Sequence, residues 1–373
     1  MFTITSEDGN ARAGELKLPK CKLKIKTPFW MPVGTKGCVK NISPEELSET
    51  GIECIIANSL LLSLRPGSKV VEDHGGIHKY MRWNKGIFTD SGGFQIGSES
   101  FKPKISDKGF EYKDPFNGIK KILTPEKAMR EQSKIGADVI MALDQMPVYS
   151  NDKKYVSEAV RRTHEWILRC IKEKQNIEEN ENKPQLLFGI AQGGFFRELR
   201  ELSARYINKQ NVDGIALGGL AIGESKQEMN SAVDNQLPFI SKDKIRYMMG
   251  LGSPKDILDM IGKGIDCFDS VFPTQSARRG TLYAINENSG IEKLNIQSSK
   301  YLNDYNPIEE GCKCYTCRNF TRSYVCHMLK VHENFGFRLA TIHNIYFMQK
   351  LISEARNAIE KGNFNEFKKR REG

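Results

Sequence analysis

No apolar run in this sequence approaches the roughly 18 residues needed to cross a bilayer. Met1 to Asn10 also lacks the basic segment and apolar core of a secretory signal. A cytoplasmic protein with no membrane partner is therefore expected. Histidine is scarce, six in 373 residues, and too few fall at the ends of strand-like runs for a metal-dependent hydrolase. Acids are outnumbered, 46 against 56 Lys and Arg, for a formal charge of +10. An excess of base on that scale suits an acidic partner, most commonly nucleic acid. There is no internal repeat and no long low-complexity tract. The turn Gly34-Thr35-Lys36-Gly37 is not the glycine fingerprint of a dinucleotide-binding sheet.

What is present is a rhythm. After a polar, turn-rich stretch over residues 1–27, alternation in Cys21-Lys22-Leu23-Lys24-Ile25-Lys26 predicts a small β ribbon. Eight short apolar runs then recur: Pro28–Gly34, Ile52–Ser59, Gly86–Asp90, Ala137–Asp144, Leu186–Gln192, Val212–Gly219, Ile245–Gly250 and Ile265–Thr274. Helical patterns separate them, at Pro44–Glu49, Pro125–Ile135, Lys154–Lys174, Glu198–Lys209, Lys226–Asn235 and Pro254–Lys263, while Gln175–Lys183 reads as an exposed polar loop. Strands alternating with helices indicate βαβ units, and eight of them close a (β/α)8 barrel. The α/β division is then an N-terminal ribbon (1–27), barrel strands (28–280), an insertion (281–336) and a last barrel helix with a basic tail (337–373). The tail run Lys368-Lys369-Arg370-Arg371 reads as a solvated helix end.

Barrel sites lie at the C-terminal ends of the strands. There the sequence offers Asn58, Asp90, Asp144, Gln192, Gly218-Gly219, Met249-Gly250 and Asp269. Carboxylates and an amide can read the edge of a planar ligand, glycines admit backbone contacts, and Phe94 or Met249 can cover its face. Taken singly, each is an ordinary helix cap or turn residue. Around Asp269 the run Ile265 to Phe272 carries a second acid, Asp266, stops at Pro273, and leads to Arg278 and Arg279. A carboxylate beside paired arginines suits chemistry on a polyanion. In the insertion, Cys312-x-Cys314-x-x-Cys317 is followed by His327, His332 and His343. Three thiolates and one imidazole would fill a tetrahedral zinc shell and leave no open position, so a structural Zn2+ is expected. Spacing alone leaves the fourth ligand open among the three histidines.

With these residues in hand, the chain resembles the tRNA-guanine transglycosylases over nearly its whole length. The likeness is carried by Met31-Pro32-Val33-Gly34-Thr35, Leu64-Arg65-Pro66-Gly67, Thr89-Asp90-Ser91-Gly92-Gly93-Phe94-Gln95, Gln192-Gly193-Gly194 and Gly218-Gly219-Leu220. It continues through Met249-Gly250, Phe268-Asp269, Pro273-Thr274, the three cysteines and Ile342-His343-Asn344. The resemblance implies a (β/α)8 barrel with an inserted zinc subdomain, and exchange of a tRNA base without breaking the backbone. Asp269 would be the nucleophile, forming a covalent ribosyl intermediate, and Asp90 the general base; the reverse assignment is the alternative. Asp144 and Gln192 would read the purine edge, Gly219 would donate its N–H, and the Leu220 carbonyl would meet the substituent of a 7-deazaguanine. Phe94 and Met249 would sandwich the ring, and His343 would complete the zinc site. Gln275, Arg278 and Arg279 would face the tRNA anticodon stem-loop, in a homodimer or a heterodimer.

Four positions depart from the family pattern. Asn58-Ser59-Leu60-Leu61 replaces Asn-Thr-Tyr-His, Gln275 stands for an arginine, Met146 for a cysteine, and Ile222 where queuine-inserting members carry glycine. A branched Ile222 shrinks the pocket and, with Glu224 nearby, favours 7-aminomethyl-7-deazaguanine over queuine. With no appended RNA-binding domain expected, the wobble guanine of GUN anticodons is the expected target. The competing classes are a non-catalytic tRNA-binding partner subunit and an enzyme that modifies DNA.

Overall fold

Eight of the strands are buried on nearly every residue, the mark of a parallel sheet covered on both faces. In the computed structural model, which describes residues 2–19, 23–96, 101 and 103–372, the first of them is β4. Ahead of it lies an antiparallel ribbon of β1 (Phe2–Asp8), β2 (Ala11–Lys17) and β3 (Lys24–Thr27). This is the ribbon expected from the alternation, although Cys21 and Lys22 lie outside the described residues. The barrel strands β4 (Phe29–Pro32), β5 (Cys54–Asn58) and β6 (Gly86–Asp90) follow. A three-stranded antiparallel insert, β7 (Lys104–Ser106), β8 (Gly109–Lys113) and β9 (Lys120–Leu123), separates β6 from its helix Pro125–Ile135. The remaining barrel strands are β10 (Val139–Met141), β11 (Leu186–Ala191), β12 (Gly214–Leu217), β13 (Ile245–Met248) and β14 (Cys267–Ser270).

Each of the eight expected runs supplies one strand, and each pairs in parallel with its neighbours in turn, with β14 returning to β4. The Val33–Ile56 bridge and the Gly34 N–H donating to the Ile56 carbonyl at 2.7 Å close the ring. Alternate strand residues part into two layers. Met31, Ile56, Phe88, Met141, Phe188, Ala216, Tyr247 and Cys267 form one cluster inside the barrel. Trp30, Ile55, Ile87, Ile140, Ile215, Met248 and Phe268 join the outer core with the helices. Phe88 packs edge-on against Phe29, Phe188 and Tyr247 with centroids 5.4–6.2 Å apart, an aromatic layer across the barrel.

The insertion opens with a hairpin of β15 (Thr281–Asn286) and β16 (Gly290–Asn295) and adds helices Tyr315–Asn319 and Arg322–Lys330 before the long helix Asn334–Glu360. Three expectations need correction. The polar stretch Gln175–Lys183 is mostly helical, the last turns of Lys153–Glu181, which stops at the left-handed Asn182. Ile177 is buried there and Lys174 pairs with Glu178 at 2.8 Å, so packing and an i,i+4 pair outweigh the polar composition. The strand read through Thr274 ends at Ser270, and Phe272–Arg278 is a helix with Pro273 in its first turn, where proline is tolerated. Nor is the basic tail merely solvated: Lys368 pairs with Asp259 at 2.5 Å and Arg371 with Glu354 at 2.9 Å, docking helix Phe364–Glu372.

Candidate active site and metal centre

The C-terminal ends of the barrel strands enclose a cleft of about 350 Å3 lined by Asn58, Asp90, Phe94, Asp144, Gln192, Gly218, Gly219, Leu220, Met249 and Asp269. Every base-binding and catalytic residue expected from the sequence lies on it. Gln275, Arg278 and Arg279 do not; they follow on helix Phe272–Arg278 and its cap, spaced three and four residues apart on one face. Arg278 is half-buried, with one guanidinium nitrogen on the Thr274 carbonyl at 3.0 Å, and Arg279 is exposed.

Asp90 ends β6 in a web of donors. Its Oδ1 accepts from the Ser59 N–H at 3.2 Å, and its Oδ2 from Asn58 Nδ2 at 2.8 Å and Gln95 Nε2 at 3.3 Å. Asn58 is fixed in turn, since its Oδ1 caps helix Ser59–Leu64 through the Leu61 N–H at 2.7 Å. Loss of water around Asp90 pushes its carboxyl up to about 7; the Ser59 hydrogen bond opposes this and the charge of Asp269 adds to it. Asp269 differs in how its oxygens are used. The Tyr247 hydroxyl at 2.5 Å and the Gly250 N–H at 2.9 Å both donate to Oδ1, and no described residue donates to Oδ2. Burial raises this carboxyl too, against those two hydrogen bonds.

The third acid, Asp144, is raised to about 6 by burial and accepts from Gln192 Nε2 at 2.6 Å. Gln192 Oε1 is buried without a partner among the described residues. It lies against Gly219, where an added Cβ would come within 2.6 Å of it. A buried unpaired acceptor in a cleft is what the N–H of a ligand fills. Beside it, the Glu224 carboxylate accepts from the Ala221 and Ile222 N–H groups at 2.5 and 2.8 Å, so it braces the loop that walls the cleft. Phe94 is 59% exposed at the rim. Val33, Thr35, Met146, Tyr247 and Val271 line the cleft without having been assigned a role from sequence. Tyr247 did carry a signal, because a tyrosine on an inward barrel position must bond its hydroxyl somewhere.

Asp266, the other acid of the Asp269 run, sits at the opposite end of the barrel. It is fully buried and bonded by two nitrogens of Arg12 from β2, at 2.8 and 2.5 Å, and by the Arg246 N–H at 2.6 Å. Its role is structural.

In the insertion, one ligand atom from each of Cys312, Cys314, Cys317 and His343 lies within 4.8 Å of the others. His343 Nε2 meets the Tyr283 carbonyl at 2.6 Å, and since a carbonyl only accepts, that nitrogen carries the hydrogen. Nδ1 therefore keeps its lone pair toward the thiols, 3.6 Å from Cys314 Sγ and 3.3 Å from Cys317 Sγ. His327 and His332 are exposed and outside the cluster, so of the three histidines it is His343 that lies where it could ligate. The donor set fits a tetrahedral metal ion. The next residue, Asn344, donates to the Pro273 and Thr281 carbonyls at 3.0 Å each and accepts from the Tyr283 N–H at 3.2 Å, joining the metal region to the segment just after Asp269.

Comparison with known proteins agrees with this arrangement. Residues 7–372 match the family model described as queuine tRNA-ribosyltransferase. The chain is 42% identical over 367 residues to the protein of that name from Bacillus licheniformis, covering 98% of this chain and 93% of the relative. It is 41% identical over 364 residues to that of Pediococcus pentosaceus and 42% over 364 to that of Geobacillus kaustophilus, with the same coverages. A barrel closed at every strand, its acids gathered at one mouth and a match running from end to end place this chain in the queuine tRNA-ribosyltransferase family.

Proposed function

We propose that this enzyme is a tRNA-guanine transglycosylase that replaces the wobble guanine of GUN-anticodon tRNAs with a 7-deazaguanine, in queuosine modification. The observation that carries the reading is the unequal use of two carboxylates in one cleft. Asp269 has one oxygen held by two donors and the other without one among the described residues, while both oxygens of Asp90 are engaged. Asp269 Oδ2 therefore attacks C1′ of the target nucleotide. The C1′–N9 bond breaks, its electron pair leaves with guanine, and an ester joins ribose to the enzyme, as in retaining glycosidases. Asp90, with a carboxyl near 7, exists in both forms at neutral pH. It can give a proton to the departing guanine and take the ring proton of the incoming base. A nucleophilic Asp90 is disfavoured by its engaged oxygens and by partial protonation.

Asp144 and Gln192 read the base edge, Gly219 offers its N–H, Leu220 its carbonyl, and Phe94 and Met249 cover the ring. Ile222 lines the cleft beside them and supports a small substituent, 7-aminomethyl rather than the queuine cyclopentenediol. The target nucleotide must leave its stack to reach Asp269. Gln275, Arg278 and Arg279 contact the anticodon stem-loop, and residues 281–336 act with them as the RNA-facing unit. Zn2+ held by Cys312, Cys314, Cys317 and His343 is structural, shaping that unit, and a homodimer acts on one tRNA.

The test is exchange of labelled guanine into unmodified GUN tRNA, with wild type and Asp269→Asn. Wild type is expected to incorporate label and form a trappable adduct, and the variant to do neither. Wild type that binds tRNA without exchange would instead make the chain a partner subunit.

A further inference from the structure

Behind the cleft lies a charge that the proposed reaction does not use. Arg200, in helix Arg197–Asn208, is wholly buried. Among the described residues it forms no ion pair, and Glu224 is the one carboxylate whose field reaches it. Its nitrogens go to backbone instead. Nε donates to the Gly194 carbonyl at 2.6 Å, Nη1 to the Gly218 carbonyl at 2.8 Å and to Gln236 Oε1 at 3.2 Å, and Nη2 to the Gly219 carbonyl at 3.3 Å. One guanidinium thus staples the turn after β11 to the turn after β12.

Both turns are built to receive it. A Cβ at Gly193 would lie 2.6 Å from the Arg200 backbone nitrogen, and one at Gly218 would lie 2.3 Å from Gln192 Nε2. Neither turn can move outward without losing a carbonyl from the guanidinium, and neither can accept a side chain. A buried cation without a counter-ion is costly, so this arrangement is poor design for stability alone.

The chemistry of the peptide says what the charge does. The Gly218 carbonyl and the Gly219 N–H belong to one peptide unit. Donation from a cation to that oxygen draws electron density through the unit and strengthens the N–H as a donor. We propose that Arg200 is a positioning residue that fixes the base-recognition wall and polarises the Gly219 N–H, so that the cleft selects bases bearing a carbonyl oxygen there. The inference rests on the base-exchange reading, in which Gly219 meets the base. It predicts discrimination against purines whose six-position is unsubstituted or carries an amino group.

The experiment measures direct binding of guanine and 2-aminopurine, without tRNA, to the full metal-loaded chain. Wild type is compared with Arg200→Gln, Arg200→Lys and Gln236→Glu, each checked for folding by thermal melting. 2-Aminopurine lacks the carbonyl; its weaker fit to Asp144 is common to all variants and cancels in the comparison. Arg200→Gln, which keeps a donor and removes the charge, is expected to narrow the guanine preference by about tenfold. Arg200→Lys, which keeps the charge, should hold the wild-type preference within about threefold. Gln236→Glu gives the guanidinium a carboxylate partner at nearly unchanged shape, and should narrow the preference with Arg200 still in place. If Gln236→Glu, or a folded Arg200→Gln, weakens both bases alike and leaves the ratio unchanged, Arg200 is only structural and the proposal fails. If wild type binds neither base, the base-exchange reading itself is what has failed.

Discussion

Replacing Asp90 with asparagine should cut exchange by about 10²–10⁴-fold and at the same time relieve the fold of a strained ionisation. The folded protein holds the Asp90 proton up to about pH 7, whereas the unfolded chain gives it up near the ordinary value of 3.8. Between those values the native state binds more protons, so wild-type stability falls as pH rises through that window and levels off above it. A shift of about three units corresponds to roughly 4 kcal/mol. Because the cleft mouth admits water, we take about half, roughly 2 kcal/mol. Asparagine does not titrate, so its stability relative to wild type should rise by that amount between pH 4 and pH 8. The amide also turns one accepting oxygen into a donor facing Asn58, Ser59 and Gln95, at a cost of about 1–3 kcal/mol. That cost is constant with pH and cancels in the slope. The assay is chemical denaturation at a series of pH values, alongside guanine exchange, where loss of a general acid–base costs about 10²–10⁴-fold. A pH-independent stability difference, or a variant that still exchanges at the wild-type rate, would refute the reasoning.

Removing the metal with a strong chelator, or replacing His343 with alanine, should unfold the insertion and lower the melting temperature. Metal analysis of the untreated chain should give about one zinc ion per chain. Arg278→Ala should weaken tRNA binding and reduce its salt slope by about one, leaving the KM for the free base unchanged. Arg12→Met should destabilise by about 3–5 kcal/mol, since it strands the buried Asp266 carboxylate at the far end of the barrel; exchange per folded molecule should be unchanged.

Much of the architecture was legible because the barrel repeats one signal eight times. Each strand is short, apolar and buried on both faces, so its run stands out from the amphipathic helix that follows. The β7–β9 insert was missed for the opposite reason. β7 and β9 carry exposed lysines and alternate weakly, and the alternation of β8 is confined to Phe110-Glu111-Tyr112-Lys113, too short a run to stand out. Helix Lys153–Glu181 ran past its expected end because a buried Ile177 and side-chain pairs across turns do not register in a polar tally. In the site, the three acids and Gln192 announced themselves at strand ends. Two others were fainter: Tyr247 signalled only that an inward hydroxyl needs a partner, and Arg200 reads as one more cation on an amphipathic helix. Their meaning is set by what they meet across the fold, which a linear sequence does not display.

Asp266 and Asp269 sharpen that point, because they lie only three positions apart and the same strand carries the chain between them. A strand advances about 3.3 Å per residue, so this spacing spans about 10 Å along the strand. That distance takes the chain from the end plugged by the β1–β3 ribbon to the open mouth. At the plugged end the carboxylate meets a cation brought by β2 and the Arg246 N–H, and both of its oxygens are engaged. At the open end the carboxylate meets a hydroxyl and one backbone N–H on a single oxygen, and no described residue donates to its other oxygen. Residue type and local sequence are nearly the same for both acids. What differs is whether the described residues complete the hydrogen-bonding shell or leave it short, and the carboxylate whose shell is left short is the one we propose as the nucleophile.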